Sequence, residues 1–75
     1  MLPDVEFDYT ELRKLILFKL GSNKVLADML GISEVSFSRK INGKVAFSHQ
    51  DIVKIADILE IEPESIGYYF FTKLD

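Results

Sequence analysis

Cysteine is absent from the sequence, and histidine occurs only once. Without cysteine the chain forms neither disulfide bonds nor thiolate metal sites. This absence fits a protein of the reducing cytoplasm, where disulfides are rare. The sequence also has no glycine-rich phosphate loop and no pair of carboxylates fixed in an apolar segment, so it lacks the usual components of an active site. We therefore expect a protein that is not an enzyme and that binds no metal and no cofactor.

Long hydrophobic runs are absent as well. No apolar stretch approaches the roughly 20 residues that a helix needs to cross a bilayer. The first ten residues, MLPDVEFDYT, contain no basic residue and no apolar block, so they do not have the pattern of a signal peptide. We expect a cytoplasmic protein without a membrane partner.

The residues that are present suffice for one small domain. Of the 75 residues, 48% are hydrophobic and 28% are charged, so we expect a single globular domain over residues 1–75. A chain of this length buries only about 60% of the surface of its unfolded form. The net charge of −3 argues mildly against a nucleic-acid partner unless the basic residues are clustered.

Capping residues and hydrophobic periodicity predict an all-α fold, a compact bundle of five helices with no convincing strand. Serine caps are predicted at Ser22, Ser33 and Ser48. Ser48 forms a capping-box pattern with Asp51, and Asp8 forms a similar pattern with Glu11 before the first helix. The predicted helices cover residues 9–20, 23–30, 34–41, 50–61 and 63–71.

A very short connection separates the second and third predicted helices. In the stretch LGIS, residues 30–33, Gly31 allows the left-handed backbone conformation with which many helices end. Two short helices joined in this way form a helix-turn-helix, in which the second helix enters the DNA major groove. The pattern predicts a helix-turn-helix over residues 22–42.

The third predicted helix has two different faces. At about 100° per residue, Phe37 and Ile41 share one face and are expected to point into the bundle. Val35, Arg39 and Asn42 lie on the opposite side, flanked by Ser36 and Ser38. Arg39 is suited to donate two hydrogen bonds to guanine, and Val35 to touch a thymine methyl group. Glu34 is suited either to accept from cytosine or to interact favourably with the helix dipole.

The basic residues are clustered around this helix. Residues 22–47 carry four basic and two acidic side chains, whereas residues 48–75 carry two basic and six acidic ones. The remaining residues, 1–21, have three basic and four acidic side chains. The acidic total therefore does not exclude DNA as a partner.

The segment SNKVLADMLGISEVSFSRKINGK, residues 22–44, resembles the Cro/CI-type helix-turn-helix of phage repressors, with its framework LA…LG(I/V)S…S…NGK. The stretch DIVKIADILEIEPESIGYYFF, residues 51–71, is similar to the rest of that domain, and the resemblance spans roughly residues 7–71. It implies a five-helix, lambda-repressor-like DNA-binding domain whose recognition helix, residues 34–41, lies in the major groove. It also implies a sequence-specific transcriptional regulator, a Cro-like repressor of a phage or prophage switch, in the cytoplasm of a bacterial host and associated with the nucleoid through its operator.

The resemblance also assigns roles to individual residues. The base-reading positions are Glu34, Val35, Ser38 and Arg39. With the basic cluster included, the phosphate-binding positions are Asn23, Lys24, Ser36, Lys40, Asn42 and Lys44. Asn23 replaces the glutamine that is usual in the family, and Glu34 and Val35 replace the usual amides, which indicates a different operator.

The two ends of the chain are relevant to how the protein binds its partners. A single helix-turn-helix reads only a few base pairs, so we expect a homodimer at least on operator DNA. The sequence predicts a short N-terminal arm, residues 1–7, and an aromatic tail, residues 65–75. A possible dimer or partner surface in the tail comprises Tyr68, Tyr69, Phe70, Phe71 and Leu74. In one interpretation two of the rings complete the core; in the other the tail forms a dimer contact or docks a partner repressor.

The acidic balance and the short chain support an alternative function. In this interpretation the protein is a modulator or antirepressor that uses the same fold to bind the partner phage repressor, a CI-type protein, rather than acting through DNA alone.

Overall fold

Glycine and serine residues set the bounds of the first helices. The computed structural model describes residues 6–74; residues 1–5 of the predicted arm and Asp75 of the predicted tail lie outside it. The helices are α1 (Thr10–Leu20), α2 (Asn23–Leu30), α3 (Glu34–Ile41), α4 (His49–Leu59) and α5 (Ile66–Phe70), and a 3₁₀ turn, Pro63–Ser65, precedes α5. Gly21 and Gly31 end α1 and α2 with φ angles of 85° and 75°, a conformation that side chains disfavour. The predicted all-α, five-helix fold is confirmed.

The three predicted serine caps are also confirmed. Ser22, Ser33 and Ser48 each have an extended backbone and accept a hydrogen bond from the amide three residues later. At the start of α4 the capping box is complete, because Asp51 in turn accepts from the Ser48 backbone N–H at 2.9 Å. These caps place the start of α3 directly after the three-residue connection 31–33.

The capping box predicted before α1 is wrong. Asp8 accepts instead from the backbone N–H of Thr10 at 2.9 Å and from the Thr10 hydroxyl at 2.6 Å, and α1 begins at Thr10. The Asp8 backbone N–H, which Glu11 would need, donates to the Thr72 carbonyl at 2.7 Å. Pairing with a distant part of the chain has therefore replaced the local cap.

That pairing joins the residues before α1 to those after α5. Phe7 and Lys73 lie opposite each other as a single antiparallel bridge. Two backbone hydrogen bonds flank it: from Asp8 to Thr72 at 2.7 Å and from Leu74 to Glu6 at 2.9 Å. Residues 6–74 contain no β-structure beyond this bridge. The arm and the tail thus meet on one side of the helices.

The core is apolar throughout the described residues. Its buried members are Leu12, Ile16, Leu26, Ala27, Phe37, Ile41, Ile52, Ile55, Ala56, Leu59, Ile61 and Phe70. Phe37 and Ile41 point inward as predicted, so the opposite side of α3 faces solvent. In α2 the buried face is formed by Leu26 and Ala27, whereas Val25 and Met29 are exposed. None of the helices described in residues 6–74 has the length and apolar character needed to cross a membrane.

Candidate functional site

The outward side of α3 is the first candidate binding surface. Glu34, Val35, Ser36 and Arg39 are exposed, and Ser38 is half-buried. Val35 keeps 64% of its surface accessible, although valine is usually buried. The structure therefore leaves all four predicted base-reading side chains of α3 at least partly accessible.

Lys40, a predicted phosphate contact, is engaged inside the domain. Its ammonium group forms an ion pair with Asp51, and each side chain is less than one-fifth exposed. Partial burial acts to raise the pKa of Asp51, but hydrogen bonds from Lys40 and from Ser48 outweigh it and lower that pKa below its ordinary value. A phosphate contact at Lys40 would require this half-buried pair to open.

Lys24 has a weaker internal partner. Its ammonium lies 3.2 Å from Asp28, one turn further along α2, and both side chains are about two-thirds exposed. Such an exposed pair contributes only about 0.3–0.5 kcal/mol. Exchanging Asp28 for a phosphate therefore costs little, so Lys24 is more available than Lys40.

Asn42, another predicted phosphate contact, belongs to a hydrogen-bond network. The Arg13 guanidinium of α1 donates to Asn42 Oδ1 at 2.7 Å and to the Ile41 carbonyl at 2.9 Å. The Asn42 amide in turn donates to Ser38 Oγ at 3.1 Å. The sequence analysis missed Arg13, because contacts across 28 and 29 residues have no local signal.

The other predicted phosphate contacts differ in their surroundings. Ser36 Oγ accepts from Ser33 Oγ at 3.0 Å. Within residues 6–74 the side chains of Asn23 and Lys44 make no hydrogen bond or ion pair, and neither does that of Arg39, a predicted base reader. Arg39 and Lys44 are thus the two cations of the region that a partner reaches without displacing an internal group.

The aromatic tail divides between core and surface. Phe70 is buried and Tyr69 is half-buried, whereas Tyr68, Phe71 and Leu74 are each about half exposed. Phe70 and Tyr69 thus complete the core, as in the first interpretation of the tail. Tyr68, Phe71 and Leu74 keep exposed surface that is open to a partner.

A groove lies between the tail, the arm and the connection from α3 to α4. It has a volume of about 550 Å³ and is lined by Glu6, Phe7, Tyr9, Asn42, Gly43, Val45, Ala46, Phe47, Ile52, Phe70, Phe71 and Leu74. The ring centroids of Phe7 and Phe71 are 5.7 Å apart, in an edge-to-face arrangement. Val45 and Phe47 were missed in the sequence analysis, because they lie in KVAF, a segment without helical periodicity. The groove extends the exposed apolar surface of the tail.

The described residues contain no cluster of metal-binding side chains, and two of their tyrosines have raised pKa values. Within the described part of the chain no group of three or more histidine, aspartate or glutamate side chains lies close enough to hold a metal ion. The pKa of Tyr68 is raised mainly by the nearby carboxylate of Glu11, and burial raises the pKa of Tyr9.

Residues 5–73 match the family described as "Protein of unknown function (DUF739)". The chain belongs to this family. No protein with curated annotation matches the chain. A solved structure that it resembles is the solution structure of the modulator of repression (MOR) of the temperate bacteriophage TP901-1 from Lactococcus lactis. The two chains share 36% identity with a TM-score of 0.78, over 88% of this chain and 89% of that chain.

The DUF739 match covers residues 5–73, which contain α3 and all of the groove lining except Leu74. The TM-score extends the likeness to the fold of almost the whole chain. Both surfaces are therefore candidates for the functional site of this family.

Proposed function

We propose that this DUF739 protein is a modulator of phage repression that binds the repressor protein of its own phage. The observation that carries the proposal is the 36% identity, over 88% of the chain, to a protein described as the modulator of repression of a temperate phage. The alternative interpretation of the sequence thereby gains support over a repressor that acts through DNA alone.

The charges of the described residues support the same proposal. A DNA-binding domain gains most of its affinity from lysine and arginine on phosphates. Here Lys40 is paired with Asp51 and Lys24 with Asp28, and the whole chain has a net charge of −3. DNA binding by this chain alone should therefore be weak.

The exposed part of the tail is the surface that we assign to the repressor. Phe71 and Leu74 are about half exposed at the edge of the groove, and Val45 lies exposed on its other side. Aromatic and aliphatic groups beside a concave surface are typical of the centre of a protein–protein interface. The repressor would fill the groove with apolar side chains of its own.

The test combines the purified protein, the repressor encoded by the same phage and a labelled operator duplex. In gel-shift titrations the protein alone should leave the duplex unshifted, and adding it to the repressor should change the amount of operator that the repressor holds. Phe71→Ser should weaken this effect about tenfold or more, because a half-exposed aromatic anchor is typically worth at least 1–2 kcal/mol. Phe18→Ser is the matched control, since Phe18 is 86% exposed on α1 and does not line the groove.

A second candidate function is sequence-specific operator binding, as in a Cro-like repressor. The exposed side of α3 supports it, because Arg39 there is accessible and has no internal partner within residues 6–74. A shift of the operator duplex by the protein alone, absent with a scrambled duplex, would favour this function. If the repressor's operator binding were also unaffected by the protein, the modulator proposal would be wrong.

A further inference from the structure

The C-terminal end of α3 is fully supplied with hydrogen-bond donors. The last four carbonyls of a helix have no partner within the helix. Three of them accept from the backbone that follows: Ser38 from Asn42 at 3.0 Å, Arg39 from Lys44 at 2.8 Å, and Lys40 from Gly43 at 3.1 Å. The fourth, Ile41, accepts from the Arg13 guanidinium at 2.9 Å. Arg13 thus supplies, from α1, the one cap that the local backbone does not.

The charge of Arg13 is directed to this helix end. Within residues 6–74 no carboxylate lies within ion-pair distance of Arg13. A cation at a helix C-terminus interacts favourably with the partial negative charge there. The same Nη2 atom also donates to Asn42 Oδ1, so two acceptors on consecutive residues converge on one nitrogen.

Arg13 also fixes the orientation of the Asn42 side chain. Because Oδ1 accepts from Arg13, the amide nitrogen is turned toward Ser38 and donates to its hydroxyl at 3.1 Å. Asn42 is also one of the residues that line the groove, and Ser38 lies on the polar side of α3. Arg13 therefore orients Asn42 at the point where the groove adjoins the polar side of α3.

We propose that Arg13 is a positioning residue for repressor binding, acting through Asn42 on the wall of the groove. The inference rests on the proposed function and adds to it a residue outside the groove lining. Arginine suits the role because the two N–H bonds of Nη2 are fixed in the plane of the guanidinium and can each meet one acceptor, whereas the three N–H bonds of a lysine ammonium rotate freely. Arg13→Lys therefore keeps the charge at the helix end and loses the orientation of Asn42.

The experiment compares Arg13→Ala, Arg13→Lys and Asn42→Ala with a control, Lys14→Ala. Lys14 is the next residue on α1, is exposed, and among residues 6–74 pairs only with Glu11, at 3.2 Å. Binding of each full-length variant to the purified repressor is measured by titration calorimetry. Amide hydrogen exchange at Lys44 and Val45, which donate to the Arg39 carbonyl, reports on the connection itself.

Arg13→Ala should weaken repressor binding about tenfold, since a hydrogen bond from a charged group is typically worth that factor or more. It should also speed exchange at Lys44 and Val45, and Lys14→Ala should change neither quantity. Arg13→Lys should restore most of the protection from exchange but little of the affinity, which separates positioning from stability. Combining Arg13→Ala with Asn42→Ala should cost no more affinity than either change alone.

Equal repressor affinities for Arg13→Ala and Lys14→Ala would overturn the inference, as would full affinity in Arg13→Lys combined with lost affinity in Arg13→Ala. Failure of the unaltered protein to bind the repressor would instead overturn the proposed function. In that case the exchange rates at Lys44 and Val45 still decide whether Arg13 holds the connection.

Discussion

Lys40 and Asp51 form a half-buried ion pair that ties the end of α3 to the first turn of α4. Asp51 simultaneously accepts from the Ser48 backbone N–H in the capping box. One carboxylate therefore fixes the start of α4 and the side chain of a lysine from the candidate DNA-binding helix.

The Asp51 carboxylate should make the stability of the fold sensitive to acid. Its pKa is lower in the folded protein than in the unfolded chain, where aspartate titrates near a pKa of about 3.9. The stabilisation is therefore complete above about pH 4 to 5 and is lost as the pH falls through the lowered folded pKa. Urea unfolding of the unaltered protein and of Asp51→Asn should converge as the pH is lowered toward 3. Asp57→Asn, an exposed position on the same helix, is the control and should leave the pH dependence in place.

If the protein binds DNA at all, Lys44 should contribute more than Lys40. Lys44→Gln should weaken binding to all duplexes and reduce the slope of log affinity against log salt by about one unit. Lys40→Gln should chiefly lower the free energy of unfolding, because it leaves Asp51 without its cation. Lys54→Gln on α4 serves as the control for net charge. An equal loss of salt slope for Lys40→Gln and Lys44→Gln would show that the pair with Asp51 opens on DNA.

Arg39→Ala tests the base-reading surface directly. On a true operator it should cost about 1–3 kcal/mol and leave weak non-specific binding less affected. Binding to operator and scrambled duplexes is compared at one salt concentration. Unchanged discrimination between the two duplexes would mean that Arg39 reads no base.

Two neighbouring phenylalanines should respond very differently to truncation. Phe70→Ala should cost about 3–5 kcal/mol of the free energy of unfolding, since Phe70 is 1% exposed in the core. Phe71→Ala should cost about 1 kcal/mol or less, because Phe71 is half exposed and its aromatic contact is with Phe7. Denaturant unfolding of both variants provides the measurement. Similar losses would contradict the division of the tail into core and surface.

Glu60 offers a stabilising substitution. It ends α4 with φ 58° and ψ 42°, the left-handed region that glycine adopts without steric cost. Glu60→Gly should raise the free energy of unfolding by about 0.5–1 kcal/mol, because its exposed contact with Lys19 at 3.7 Å is weak. Glu62→Gly is the control, since Glu62 has an extended backbone with φ −70°. That change should leave stability unaltered or lower it.

Local signals in the sequence predict the helices well. The serine caps are short-range interactions, and the inward placement of Phe37 and Ile41 follows from helical periodicity alone. The polar side of α3 was predictable for the same reason. Where the prediction for α1 failed, a backbone hydrogen bond from Asp8 to Thr72 had replaced the local cap.

The candidate surfaces were less predictable, because long-range contacts decide them. Arg13 and Asn42 are 29 residues apart, and nothing near either of them indicates that they meet. The pairing of Lys40 with Asp51 joins two helices and removes a cation that looks free in the sequence. The groove likewise forms only because the arm and the tail meet. Of these two segments, only the tail has a run of aromatic residues that indicates a binding surface in the sequence.

The pairing of Phe7 with Lys73 has a practical consequence for any assay of this protein. Glu6 and Leu74 are joined by a hydrogen bond and both line the groove, so labels or linkers attached at either of these residues lie at the same surface. Moving a label from Glu6 to Leu74 would therefore not be an independent control. An attachment point on the exposed side of α1, such as a cysteine introduced at Phe18, would leave the groove open to a partner.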